Sequence, residues 1–166
     1  KSNEGSATVV GLALEKQQVI FVLQKVGSCK KVQAALLSEC VALSIDLDML
    51  MLCPSHSTQQ DIQFGISLED EAKAEQLLAD LSSLFSFTYS KERQFSKLSL
   101  VGLGLQHHTS ITTEVLSFLA DLQVTVRMVH SSVCKISLMV PSDKVDFVCP
   151  LLYQHFVATQ PVAALI

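Results

Sequence analysis

A chain of 166 residues that is 49% hydrophobic and 17% charged falls well below the roughly 25% charge of an average soluble domain, which predicts a surface partly covered by further protein. The net charge of −4, with Lys and Arg scattered singly, excludes the clustered positive field that a nucleic-acid surface needs. No apolar run reaches the length of a membrane span, and Lys1-Ser2-Asn3-Glu4-Gly5 lacks a signal-peptide layout; the expectation is a soluble cytoplasmic protein, and the polar start without Met predicts a piece of a longer chain.

Thr8-Val9-Val10-Gly11-Leu12-Ala13-Leu14 is strand-like and Val19-Ile20-Phe21-Val22-Leu23 reads as a second, buried strand. Val32, Leu36, Cys40 and Leu43 follow at helical spacing. Ile45, Leu47, Met49 and Met51 alternate with other residues, as do Ile62, Phe64 and Ile66, and the turn-rich Cys53-Pro54-Ser55-His56-Ser57 between them predicts a hairpin. Asp70 and Glu71 open a helix carried by Ala74, Leu77, Leu78, Leu81, Leu84 and Phe85, with acidic residues suited to the positive helix terminus. Phe85 to Tyr89 reads as a strand, and Lys91-Glu92-Arg93-Gln94-Phe95-Ser96 as a polar break.

The same grammar then restarts. Leu98 to Leu103 is a strand, Ile111, Val115, Phe118, Leu119 and Leu122 mark a helix, Val124, Val126 and Met128 a strand, Ile136, Leu138 and Val140 another, and Val145, Val148, Leu152 and Phe156 a last helix. Shifting the chain by 79 lays Lys31-Val32 over Ser110-Ile111 and Leu47-Asp48-Met49-Leu50 over Val126-Arg127-Met128-Val129, with about five residues fewer in the second hairpin. Each copy has the βαββαβ order in which two helices cover one face of an antiparallel sheet. The second copy lacks a fourth strand of its own, and Thr8–Leu14 is the spare that can complete it. The expected fold is α+β: two ferredoxin-like units, with the first (19–90) inserted in the second (8–15 plus 97–157) and a C-terminal tail at 158–166.

Catalytic and metal chemistry find little support. Cys29, Cys40, Cys53, Cys134 and Cys149 are odd in number and unpaired in spacing, which predicts small core residues and no metal or redox site. His107 and His108 are adjacent and so point apart, as a solvated loop would have them. Asp46 and Asp48 share a strand face, a pattern equally suited to a polar face or an interface. No Gly-rich phosphate loop with Lys is present, so the piece is expected to have no catalytic residues and no cofactor.

Gly11-Leu12-Ala13-Leu14-Glu15-Lys16, Ile45-Asp46-Leu47-Asp48-Met49, Asp61-Ile62-Gln63-Phe64, Leu100-Val101-Gly102-Leu103-Gly104 and Lys135-Ile136-Ser137 together, in this order, resemble the C-terminal regulatory region of aspartate kinases. The resemblance implies tandem ACT units that form a homodimer and bind lysine or threonine as feedback effectors of a kinase catalytic domain absent from this sequence. An ACT site offers helix N-terminal N–H groups to the effector carboxylate and acceptors from a neighbouring unit to its ammonium.

On that resemblance the effector residues here are Ser28, Lys30, Lys31, Val32 and Gln33 of the first loop and helix, with Asp48, Leu52 and Gln63. Ile111, Thr112, Thr125 and Val126 stand at positions that in relatives line the cross-chain part of the pocket. The family's Pro-Asp-Lys-Pro-Gly loop is Gly27-Ser28-Cys29-Lys30-Lys31 here, its Gln-Asn pair is Leu52-Cys53, and the Glu after its Ser-Thr-Ser is replaced by Val133. These departures keep a second reading open, a degenerate ACT pair that serves only as a structural dimerisation module.

Overall fold

A computed structural model of the chain describes residues 8–54, 59–105 and 109–157. Its elements are β1 (Thr8–Val26), α1 (Cys29–Ala42), β2 (Asp48–Pro54), β3 (Gln60–Ser67), α2 (Glu71–Phe85), β4 (Thr88–Leu103), α3 (Thr109–Asp121), β5 (Met128–Ser131), β6 (Lys135–Pro141) and α4 (Val145–Leu152). The chain divides into two compact units, one of residues 17–95 and one of residues 1–16 with 96–166. The fold is α+β, and the first unit is an insertion within the second.

In the inserted unit the strand order is β2-β3-β1-β4. β1 and β3 run antiparallel from Gln18 opposite Ser67 to Val26 opposite Gln60, and β2 flanks β3 from Asp48 opposite Gly65 to Pro54 opposite Gln60. Alternate residues of β1, Val19, Phe21 and Leu23, meet Phe64 and Ile66 of β3 and the stripes Val32-Leu36-Cys40 of α1 and Ala74-Leu78-Leu81 of α2. Phe21 and Phe64 stack with ring centroids 5.6 Å apart. Each fully buried aliphatic or aromatic side chain of this set contributes about 1.5–3 kcal/mol by leaving water. Lys25 and Met49 take left-handed backbone where the β1–β3 and β2–β3 registers shift, the signature of bulges that bend a strand.

The second unit repeats this plan with the order β1-β4-β6-β5. Its core gathers Leu98 and Leu100 of β4, Val115 and Leu119 of α3, Ile136, Leu138 and Val140 of β6, and Val145, Val148 and Leu152 of α4, with Val9 supplied by the N-terminal strand. The repeat extends to single hydrogen bonds. After α1, Leu43, Ser44 and Ile45 N–H donate to Glu39, Val41 and Cys40 carbonyls; after α3, Leu122, Gln123 and Val124 donate to Phe118, Ala120 and Leu119. Each donor and acceptor is displaced by 79, and Ser44 and Gln123 share the left-handed turn conformation. From the hairpin on the offset is 74, so the short 3-10 turn Leu68–Asp70 before α2 recurs as Ser142–Lys144 before α4.

Several expectations are corrected. Lys91 to Ser96 is not a break: β4 runs unbroken from Thr88 to Leu103. Side chains alternate in direction along a strand, so Lys91 and Arg93 share the face that meets Glu71 of α2. The two strands expected at 8–14 and 19–23 are likewise one strand, β1. Ile45, Leu47, Val124 and Val126 lie in the connections that follow α1 and α3, outside β2 and β5; Ile45 and Val124 are nonetheless core residues, so their alternation came from a folded connection. The last helix stops at Leu152 and continues as a π-helical turn, Tyr153–Val157. Cys40 is buried, but Cys134 is exposed and is no core residue. His107, His108 and the tail at 158–166 lie outside the described residues, as do Ser55, His56 and Ser57 of the first hairpin loop.

Candidate functional site

The first half of the candidate set begins where β1 ends. Ser28 occupies the N-cap position of α1 without a side-chain cap hydrogen bond, and the first turn carries no acidic residue. Lys30 and Lys31 are exposed there and Gln33 is half-buried, so positive side chains surround a helix end that already carries positive partial charge. Val32 is fully buried in the core; its N–H donates to Ser28 O at 3.0 Å, and its side chain holds α1 down. Gly27 has open space around the position of a Cβ.

Leu52 and Gln63 flank the same end of the sheet. Cys53 stands opposite Asp61 and Leu52 opposite Ile62, close to the Val26–Gln60 pair where β1 gives way to the loop before α1. Gln63 sits between Met51 of β2 and Val22 of β1 and is half-buried. Asp48 is elsewhere. It pairs with Gly65, about 16 Å along the strands from the Gln60 end at about 3.3 Å per residue, and its Oδ1 accepts from Met49 N–H at 2.9 Å. The carboxylate stabilises the left-handed turn at Met49, and the structure does not bring it to Ser28.

The second half also divides. Ile111 and Thr112 lie in the first turn of α3, whereas Thr125 and Val126 follow its C-terminus; a 13-residue helix puts about 20 Å between its ends. Ile111 and Val126 pack against the core of their unit, Thr112 is half-buried and Thr125 is exposed. Ser132, in the β5–β6 turn, donates through Oγ and N–H to Lys135 O at 3.2 and 2.8 Å. Its neighbour Val133 is exposed.

One charged cluster escaped the reading of the sequence. Glu71, at the start of α2 with a side chain only 10% exposed, accepts from Lys91 Nζ at 2.9 Å and from Arg93 Nε at 2.8 Å, with Arg93 Nη2 closing a fork. Lys91 also reaches Glu75 at 2.9 Å. Hydrogen bonds from Arg93 and then Lys91 hold the Glu71 carboxyl at about 2, well below its ordinary value of 4.5, and the same bonds push Lys91 and Arg93 upward. The signal was available: Glu71 and Glu75 are one helical turn apart, and Lys91 and Arg93 are one strand repeat apart. Burial likewise raises the Cys40 thiol. Among the described residues, no group of three metal-ligating side chains comes together, and no helix is long and apolar enough to cross a membrane.

Residues 98–156 match the family model of the ACT domain. Over 155 residues, 90% of the chain, the sequence is 26% identical to the aspartokinase of Corynebacterium glutamicum, and over the same length it is 27% identical to that of Corynebacterium efficiens. The chain spans 36% of the length of these curated relatives. Among solved structures, the ligand-free regulatory subunit of aspartate kinase from Thermus thermophilus superposes with a TM-score of 0.82 at 18% identity, covering 90% of this chain and 99% of that one. The aspartate kinase of Synechocystis gives 0.79 at 23% identity, covering 94% of this chain and 28% of its own. The similarity to aspartate kinases thus extends over nearly the whole chain, and the inserted unit repeats the plan of the segment that matches the ACT-domain model.

Proposed function

We propose that the chain is the amino-acid-sensing regulatory module of an aspartate kinase, acting as a cytoplasmic homodimer that lowers the activity of a kinase catalytic domain when lysine, threonine or both are bound. The observation that carries this reading is the extent of the likeness: it runs through both units and accounts for 99% of a protein described as a regulatory subunit. The ACT units are residues 19–90 and residues 8–15 with 97–157. The effector carboxylate would meet the first turn of α1, where Ser28, Lys30, Lys31 and Gln33 gather around unpaired backbone N–H groups, with Gln63 and Leu52 at the same sheet end. Because Ile111 and Thr112 lie a helix length from Thr125 and Val126, the cross-chain part of the pocket is drawn from different places on the partner. Leu37, Val41 and Leu84 are apolar and exposed on the helices of the inserted unit, as a chain that meets a second copy would leave them.

A second reading, a structural dimerisation module without effector, draws on Leu52. It is 47% exposed and apolar where relatives place a polar partner, and an unpaired ligand group loses about 1–3 kcal/mol. A melting-temperature screen with lysine, threonine, methionine and other free amino acids separates the two. Ligand at 100 times its Kd adds about 2.7 kcal/mol, so a clear upward shift with lysine or threonine is expected. A flat panel at millimolar concentration selects the structural module, and a monomer by light scattering at high concentration defeats both readings.

A further inference from the structure

The last helix of each unit carries its buried stripe in a common frame until the final turn. With the offset of 74, Val145, Val148 and Leu152 of α4 stand where Glu71, Ala74 and Leu78 of α2 stand, and all six are buried. The frame then breaks. Leu81, three residues after Leu78, is 5% exposed, whereas the next buried residue after Leu152 is Phe156, four residues on and 7% exposed. His155, the counterpart of Leu81 at the offset of 74, is exposed. In α2 the exposed residues Ala79 and Asp80 separate the buried positions; in the second unit Tyr153, Gln154 and His155 do so, one residue more. The extra residue falls inside the π-helical turn Tyr153–Val157.

A regular α-helix turns by about 100° per residue. Continued from Val148, it would set His155 about 20° from that residue, within the buried stripe, and Phe156 about 80° away. An imidazole would then enter the core, at the cost of burying a polar group, and a phenyl ring would leave it. The wider turn, whose carbonyls bond five residues ahead instead of four, takes up one residue and reverses that exchange. Phe118 of α3 meets both of the side chains concerned: His155 stacks on it with ring centroids 4.6 Å and planes 24° apart, and Phe156 meets it edge-on at 5.6 Å and 84°. We infer that the π-helical turn is a one-residue expansion of α4, which turns His155 out of the place Leu81 holds in the inserted unit and clamps the turn to α3 through Phe118.

The test deletes one residue at a time from the whole chain: Gln154 from the turn and, separately, its counterpart Asp80 from α2. Without Gln154 the helix is expected to run as regular α through Phe156, with a melting temperature within about 3 °C of wild type. Nuclear Overhauser contacts from Phe118 should be kept to Phe156 and lost to His155. Without Asp80, Leu81 leaves the core face, and a fall of about 6 °C or more is expected. A Gln154 deletion that fails to fold, melts as low as the Asp80 deletion, loses the Phe118–Phe156 contact or keeps the Phe118–His155 contact overturns the inference. Pro150 lies within α4, and a proline there removes one backbone donor, so Pro150→Ala tests the other cause. The π-helical turn is expected to persist in this variant; a regular α-helix in its place assigns the turn to the proline and overturns the inference.

Discussion

The two repeats solve one problem in two ways. With the offset of 74, Glu71 at the head of α2 corresponds to Val145 at the head of α4, and both are buried. In the inserted unit the helix start is held to β4 by Glu71 with Lys91 and Arg93; in the other unit Val145 joins the apolar core. One position of a common fold therefore accepts either a fully partnered charge or none, and the partners decide which. A carboxylate there without cations on the facing strand is the combination that neither unit contains.

That comparison can be broken most severely by Val145→Glu, which buries an unpartnered carboxylate. The expected loss is about 3 kcal/mol or more, read as a lower urea midpoint; a loss under about 1 kcal/mol would show that the two helix starts do not differ in kind. Glu71→Gln probes the other side. It forfeits charge-assisted bonds to partners that are partly exposed, so the expected loss is about 1–2 kcal/mol.

The pH dependence sharpens the contrast. Because the folded-state carboxyl of Glu71 sits at about 2 against an ordinary 4.5, its contribution is present above 4.5 and is lost as pH falls from there toward 2. Urea midpoints taken between pH 6 and pH 3 should fall more steeply for wild type than for Glu71→Gln, and parallel slopes would remove Glu71 as the source. The smallest effect is expected for Ser28→Ala. Ser28 makes no side-chain cap hydrogen bond, so the usual cost of about 1 kcal/mol for a lost cap should shrink to a few tenths in the absence of ligand.

The elements that could be read from the sequence are those whose pattern is set by one buried face, such as Val32-Leu36-Cys40 and Ile62-Phe64-Ile66. Lys91 to Ser96 misled because a strand whose polar residues face a helix and solvent has the composition of a loop. The duplication was legible because the turns after α1 and α3 repeat residue for residue. The candidate site was less so. Ser28, Lys30, Lys31 and Gln33 are neighbours in sequence and remain so in space, but Asp48 belongs to the far end of the strands, and sequence spacing carries no such information. The Glu71 cluster was hidden for the same reason, since its members are 20 and 22 residues apart.

The long strands β1 and β4 stand side by side, and the inserted repeat leaves the other through them, at residues 16–17 and 95–96. Beside this boundary Glu15 Oε2 and Lys97 Nζ lie 2.9 Å apart, so a gene joining Lys16 to Ser96 through an Asn-Gly turn would encode the host repeat alone, with all four of its own strands. Such a miniature would reveal what the guest was added to do.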